Sequence, residues 1–175
     1  MPMKSMKANN EGVMLHYLDS ATSSSLVPVL ICPGLSETAE EYTDLIEYLS
    51  PRRCVVLSFR GRGQSDTPAS GYNLADHVAD IECVVKAADL NIRPDAVWGI
   101  QRESEQVYFD FRLNKRLLVL MGKMEGSLLN DEALEPYRRI SSDVTVVGFR
   151  SSGHDIRNTE KELLYRTIGE FLNLT

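Results

Sequence analysis

Two side chains that could exchange protons stand in separate loops in the second half of the sequence. His154 follows an apolar run and is one of three histidines in the chain. At the end of a strand it could act as a general base, because imidazole titrates near neutral pH. Glu125 comes three residues after Gly122, which closes an earlier apolar run, and a carboxylate there could orient such a histidine. His154 is therefore a candidate general base and Glu125 a candidate orienting carboxylate, a role that nearby Asp131 could also fill.

Two glycine-containing loops in the first half could present N–H groups to an anion. In one loop, Gly34 and Leu35 follow an apolar run. Their backbone N–H groups could face an oxyanion, although an ordinary strand-to-helix turn would use the same residues. The other loop, 60–65, has the sequence R-G-R-G-Q-S and matches neither the dinucleotide-binding nor the P-loop pattern. A nucleotide- or phosphate-binding protein is therefore the least supported hypothesis.

The elements that must position these loops alternate along the chain. Apolar runs predict strands, and amphipathic runs predict helices between them. The predicted strands are 13–18, 26–32, 54–59, 117–121 and 144–149, and the predicted helices are 36–50, 73–89, 131–140 and 160–172. This alternation predicts an α/β fold with a three-layer, doubly wound, mainly parallel sheet and helices on both faces. Ligands of such sheets bind beyond the carboxyl ends of the strands, which is where all four loops lie.

The order of the four loops is more specific than any one of them. The succession strand-P-G-L, helix, strand-R-G-x-G-x-S, helix, strand-G-x-x-E, strand-x-x-G-H, helix resembles the α/β-hydrolase family, in particular its esterase- and lysophospholipase-like members. The resemblance extends over residues 12–90 and 113–174. It implies that His154 and Glu125 belong to a catalytic triad and that the Leu35 N–H is an oxyanion donor. It also implies a small-molecule substrate, a carboxylic ester or similar acyl compound, and we expect no cofactor.

The nucleophile departs from the family pattern. The sequence contains no G-x-S-x-G motif, which in the family carries the nucleophile on a tight strand-to-helix turn. The simplest interpretation is that a block holding this elbow and most of a cap region is absent between about Asn91 and Ile92. Residues 92–112 would then be a remnant of the cap. We therefore expect no triad nucleophile in this chain, whether the family residue would be Ser, Cys or Asp, and a catalytically inactive binding or interaction module is the alternative function.

The missing block would also change the sheet. Without a central strand, the strand at 26–32 would pair directly with the strand at 117–121, or both would leave apolar edges open. Open strand edges favour exchange between copies. A homodimer is therefore one assembly that the sequence allows.

Composition excludes several other classes of protein. A length of 175 residues with 43% apolar content predicts one globular domain over 1–175. The formal net charge is −6 and the basic residues are dispersed, so nucleic acid is not an expected partner. No apolar run reaches the roughly 18 residues of a membrane span, and residues 1–10 lack the apolar core of a signal peptide.

The cysteines and the two other histidines carry no motif. Cys32, Cys54 and Cys83 form no C-x-x-C pair, so we expect buried, reduced thiols and a cytoplasmic location. His16 falls within a predicted strand and His77 on a predicted helix, where both are expected to be structural or exposed. No H-x-x-x-H or Cys/His cluster is present, so we expect no metal site.

Overall fold

The structure is a computed structural model that describes residues 3–34, 36–90, 97–98, 116–127, 129, 134–140 and 142–173. The chain divides into two compact units, Met1–Arg102 and Glu103–Thr175. A single domain over 1–175 stays a prediction. None of the helices in the described ranges is long and apolar enough to cross a membrane.

The first unit is built on a five-stranded mixed sheet. Its strands are β1 (Lys4–Asn10), β2 (Val13–Asp19), β3 (Val29–Ile31), β4 (Cys54–Leu57) and β5 (Val97–Trp98). They are arranged in the order β1-β2-β4-β3-β5. β2 pairs antiparallel with β1 and with β4, whereas β3 pairs parallel with β4 and with β5. The α/β fold class is thereby confirmed, with a mixed sheet and helices.

The strand β1 was not predicted. Its residues are mostly polar and exposed, so they show no apolar periodicity. The strand forms because residues 11 and 12 make a tight hairpin turn in which Glu11 has φ 49° and Gly12 has φ 93°. A two-residue turn with positive φ at both positions matches the twist of an antiparallel pair, and the Gly12 N–H donates to Asn9 Oδ1 at 2.7 Å.

The helices of the first unit begin at residues that cap their first turns. A 3₁₀ helix (Ala39–Tyr42) leads into α1 (Thr43–Tyr48), and α2 spans Leu74–Ala87. The Thr38 N–H donates to Glu41 Oε1 at 2.9 Å, and Asn73 and Asp76 cap α2 reciprocally. Such capping boxes satisfy N–H groups that a helix start leaves unpaired. They therefore set where the chain turns back after the loops at the ends of β3 and β4.

The core of the first unit lies between the sheet and α2. Buried apolar side chains of β2, β3 and β4 pack together with those of α2, and the members include Leu15, Leu30, Val55, Leu57 and Val84. Each of these five side chains is fully buried. Burial of this kind is the main stabilising term of a small α/β unit.

One predicted pairing is wrong. The strand predicted at 26–32 was expected to pair with the strand at 117–121 or to leave an open edge, but β3 pairs on that edge with Val97–Trp98. β3 is also shorter than predicted, because Pro28 has no N–H to donate to a neighbouring strand. Apart from these two residues of β5, the expected cap remnant at 92–112 lies outside the described residues.

The second unit is built on a two-stranded parallel sheet. β6 (Arg116–Gly122) and β7 (Asp143–Phe149) pair over their full lengths. The helices are α3 (Glu135–Ile140), α4 (Ile156–Thr159) and α5 (Lys161–Asn173). Val119, Met121 and Leu134 form the centre of its core. The predicted strands at 117–121 and 144–149 and the predicted final helix are confirmed.

Candidate functional site

His154 lies in the turn between β7 and α4 and is exposed. Its carbonyl oxygen accepts the Ile156 N–H at 3.1 Å. The next residue, Asp155, caps α4 by accepting the Asn158 N–H at 3.3 Å and the Asn158 side-chain amide at 2.8 Å. The histidine therefore sits on a turn whose following residues are held by the start of a helix, at the carboxyl end of a strand as predicted.

The backbone before His154 is anchored by a small polar network. Ser152 is fully buried, and its hydroxyl donates to Glu160 Oε2 at 2.6 Å. The same carboxylate oxygen accepts the Ser151 N–H at 2.9 Å, and the Thr159 hydroxyl donates to Ser152 Oγ at 2.7 Å. Hydrogen bonds to a charged group are the strong ones in proteins. Glu160 therefore ties the histidine loop to the start of α5.

The loop that carries Glu125 packs directly against the histidine loop. The Met124 N–H donates to the Ser152 carbonyl at 2.9 Å. A Cβ added at Gly153 would lie 2.7 Å from the Glu125 carbonyl oxygen, and one added at Gly122 would collide with the Gly153 carbonyl. Only glycine allows two backbones to approach this closely. The sequence-predicted base and acid are thus brought into adjacent loops.

The Glu125 side chain itself is exposed. Among the contacts of the described residues, no hydrogen bond or ion pair joins its carboxylate to His154. The loop lines an open cavity of about 310 Å³ together with Met121 and Leu129. The alternative acid, Asp131, lies outside the described residues, as does the predicted oxyanion donor Leu35. The triad roles therefore stay predictions.

The loop after β3 is held by a residue that sequence reasoning missed. Glu37 Oε2 accepts the Gly34 N–H at 2.7 Å and the Tyr42 hydroxyl at 2.6 Å. Ser36 adopts a positive φ of 74°, and Arg62 Nη1 donates to the Gly34 carbonyl at 2.8 Å. A carboxylate three residues after a glycine at a strand end is the signal that could have indicated this contact.

The arginine-glycine loop at 60–65 is occupied by contacts within the protein. Arg60 forms a two-point ion pair with the fully buried Asp80, with Nε to Oδ2 at 2.8 Å and Nη2 to Oδ1 at 2.6 Å. The hydrogen bonds that Arg60 donates to the Asp80 carboxylate raise the pKa of Arg60. Arg62 is held by Gly34, and burial lowers its pKa. Both guanidinium groups therefore serve the protein's own backbone and side chains, which argues against the phosphate-binding hypothesis.

The cysteine thiols are not nucleophiles in this setting. Cys32 and Cys54 are buried and unpaired with each other or with Cys83. Burial raises the pKa of the Cys32 thiol to about 12, and burial likewise raises that of Cys54 to about 12. Because the thiolate is the reactive form, these groups are inert at neutral pH. Within the described residues, no group of three metal-ligating side chains is present.

Comparisons with known proteins agree with this architecture. A family model described as the alpha/beta hydrolase fold matches residues 27–100. No curated protein matches the sequence. Among solved structures, a CIB-like hydrolase from Thermoplasma acidophilum superposes with a TM-score of 0.76 at 16% identity, covering 100% of both chains.

Two further solved structures are similar to this chain with comparable TM-scores. E-2-(acetamidomethylene)succinate hydrolase has a TM-score of 0.75 at 15% identity, covering 98% of this chain and 100% of its own. An esterase from Exiguobacterium antarcticum has a TM-score of 0.71 at 13% identity, covering 97% of this chain and 100% of its own. At such low identities the likeness establishes the fold.

Proposed function

We propose that this chain, whose residues 27–100 match the alpha/beta hydrolase fold model, carries the base, acid and oxyanion loop of a hydrolase acting on a carboxylic ester or similar acyl compound. The observation that supports this proposal best is the contact between the Glu125 and His154 loops through Gly122 and Gly153. An esterase among the similar structures agrees with the substrate class.

In the proposed reaction, His154 takes the proton of the nucleophile as it attacks the acyl carbon and later returns a proton to the leaving alcohol. Glu125 holds the imidazole in the productive tautomer and stabilises the imidazolium that forms. Leu35 keeps the role that the sequence predicts for it, as the residue whose N–H is the oxyanion donor, and one such donor is worth about 10²–10³-fold in rate. An acid–base contact that is long in the unliganded protein can tighten when substrate binds.

The nucleophile of this proposal is not in the sequence given. No G-x-S-x-G motif is present, so the nucleophile would come from a segment inserted between Asn91 and Ile92 in a longer form. A family enzyme without its nucleophile keeps at most a residual ~10³–10⁴-fold acceleration over water. The 175-residue chain by itself is therefore proposed to be inactive.

The intact mass of the protein from its natural source is the first test. A mass above 19.7 kDa, with additional peptides between Asn91 and Ile92, is expected if the nucleophile lies in such a segment. A mass of 19.7 kDa would contradict the segment. The chain would then be the catalytically inactive binding module, without ester turnover that depends on His154.

Ester hydrolysis by the segment-containing form is the second test, with p-nitrophenyl butyrate as substrate. His154→Ala is expected to lower kcat by roughly 10⁴-fold or more, by comparison with other triads. Glu125→Gln and Asp131→Asn identify the acid, because only the residue that orients His154 should lower kcat strongly. Glu162→Gln, an exposed change on α5, is the matched control. Full activity of His154→Ala would contradict the proposal.

Assembly and location are part of the same proposal but rest on sequence alone. A homodimer and a cytoplasmic location remain predictions. The homodimer is predicted from open strand edges, and the cytoplasmic location from the unpaired cysteines. Sedimentation of the purified protein would test for the homodimer.

A further inference from the structure

A serine, a histidine and a carboxylate from three elements of the first unit stand in a row. Ser5 on β1 has its Oγ 2.9 Å from His16 Nε2 on β2. The other ring nitrogen, His16 Nδ1, lies 3.7 Å from Glu40 Oε1 in the 3₁₀ helix. A nucleophile next to a base, with the base next to an orienting acid, is the arrangement that activates hydroxyl groups in proteins of unrelated folds.

The strand register produces the first contact. Lys7 lies opposite His16 and Ser5 opposite Leu18, so Ser5 and His16 are diagonal neighbours on one face of the hairpin. Long side chains reach such diagonal partners. The His16 backbone is fixed on both sides, because its N–H donates to Ser65 Oγ at 2.8 Å and its carbonyl accepts the Ser58 N–H at 2.9 Å.

The surroundings of the ring select one tautomer. The His16 side chain is fully buried, and Nδ1 has no hydrogen-bond partner among the described residues. Burial lowers the pKa of His16, so the ring is neutral at pH 7. The Glu40 carboxylate, which also accepts Gln64 Nε2 at 2.9 Å, attracts a proton on Nδ1. That tautomer leaves the Nε2 lone pair facing the Ser5 hydroxyl, which is the arrangement a general base requires.

We propose that Ser5 is an activated serine that accepts an acyl or phosphonyl group from small activated electrophiles, with His16 as its base and Glu40 as the group that positions the imidazole. Ser5 is exposed, so an electrophile reaches its Oγ from solvent. When a fluorophosphonate reacts, Ser5 Oγ forms the new bond to phosphorus and the P–F bond breaks. The hydroxyl proton passes to His16 Nε2 and from there to water, and fluoride departs, so that charge and atoms balance.

A fluorophosphonate probe on the whole 175-residue chain tests this proposal. The rate of adduct formation is measured by peptide mapping at Ser5 and at Ser70, an exposed serine in a loop of the same unit. General-base assistance is worth about 10²–10⁴-fold, so Ser5 is expected to react at least about 100-fold faster than Ser70. Ser5→Ala is expected to abolish the fast phase of labelling.

The role of the acid needs a variant that folds. His16 is buried and its replacement would disturb the sheet, whereas the Glu40 side chain is 42% exposed. Glu40→Gln is expected to slow labelling of Ser5 by about tenfold or more, a small part of what triad acids contribute, with an unchanged circular dichroism spectrum. Glu47→Gln, an equally conservative change at an exposed residue of α1, is expected to leave the rate unchanged.

Two results would overturn the proposal. Equal labelling rates at Ser5 and Ser70 would show an ordinary hydroxyl, and an unchanged rate in Glu40→Gln would remove the carboxylate from the arrangement. Neither result bears on the proposed ester hydrolysis, because that reaction uses His154 and Glu125 and is measured by turnover rather than labelling.

Discussion

Replacing Asp80 by asparagine should destabilise the first unit more than any exposed substitution. Asp80 is fully buried and accepts three hydrogen bonds, two from Arg60 at 2.8 and 2.6 Å and one from the Asn10 amide at 2.8 Å. Asp80→Asn removes the negative charge but keeps the size of the side chain. The Arg60 guanidinium, with a side chain only 8% exposed, then keeps only the Asp76 carboxylate, 3.9 Å away, as a counter-charge.

The magnitude follows from the burial of the pair. Removing one partner of a buried ion pair costs about 3–5 kcal/mol, because the remaining charge cannot return to water. An asparagine oxygen can still accept one hydrogen bond from Arg60, so the lower end of that range, about 3 kcal/mol, is expected. Against a typical total of about 5–15 kcal/mol, such a loss leaves the unit folded but much less stable.

Urea unfolding followed by tryptophan fluorescence measures this loss. The single tryptophan, Trp98, belongs to β5 of the same sheet, so its signal reports on the unit that holds the pair. With an m-value of about 1–3 kcal/mol/M, the midpoint should fall by about 1–3 M. Glu82→Gln, an exposed change on the same helix, should stay within about 0.5 kcal/mol of the parent.

Two outcomes would refute this reasoning. A loss below about 1 kcal/mol in Asp80→Asn would mean that water reaches Arg60, as in an exposed pair. The double replacement Arg60→Met with Asp80→Leu removes both charges, and well-packed apolar residues often replace such a pair without loss. It should therefore recover most of the stability, and a double variant no more stable than Asp80→Asn would attribute the loss to packing.

Two further predictions concern pH and close packing. Burial lowers the pKa of His16 and of His77 below their ordinary 6.5, so their contribution to stability is full above pH 6.5 and is lost as the pH falls through their folded values. The urea midpoint should accordingly be lower at pH 5.5 than at pH 7.5. An equal or higher midpoint at pH 5.5 would contradict the lowered pKa of the two histidines. Gly122→Ala places a methyl group against the Gly153 carbonyl and should cost about 1–3 kcal/mol or more in thermal unfolding. Gly148→Ala, whose new methyl has the flexible Lys123 side chain as its nearest neighbour, is the control, and equal losses in both variants would refute the packing argument.

Loop positions could be predicted from the sequence because they depend on local chemistry. Gly122 ends the apolar run of β6, and Gly153 stands four residues after Phe149, the last residue of β7; a glycine at or soon after the end of an apolar run predicts a strand followed by a turn. Asn73 before an amphipathic run predicts a helix start for the same reason, since a cap residue and the N–H group that it satisfies lie within one turn. These signals need no knowledge of distant residues, and the structure confirms them.

Contacts between distant residues could not be predicted in this way. Asp80 stands 20 positions from Arg60, and a single aspartate on an amphipathic helix is ordinarily expected on the solvated face. Glu160 likewise gives no sign that it binds the buried Ser152. The strand β1 pairs with β2 through backbone hydrogen bonds, so the types of its polar side chains do not indicate the pairing. Pairing partners of this kind are decided by the fold as a whole.

The arginine-glycine loop suggests anion binding by its sequence, but its arginines instead hold neighbouring segments of the first unit in place. Its two arginines lie two residues apart, and one contacts Asp80 on α2 while the other contacts the Gly34 carbonyl. Arg60 supplies the positive charge beside the buried Asp80 carboxylate, and Arg62 donates to a carbonyl that also accepts the Glu37 N–H at 3.2 Å; in such roles a guanidinium offers more donors than an ammonium. The loop after β4 therefore fixes the loop after β3, which carries the predicted oxyanion donor. The arginine-glycine loop therefore stabilises the loop that was expected to bind an anion. Its own two arginines contact groups of the protein and not a phosphate.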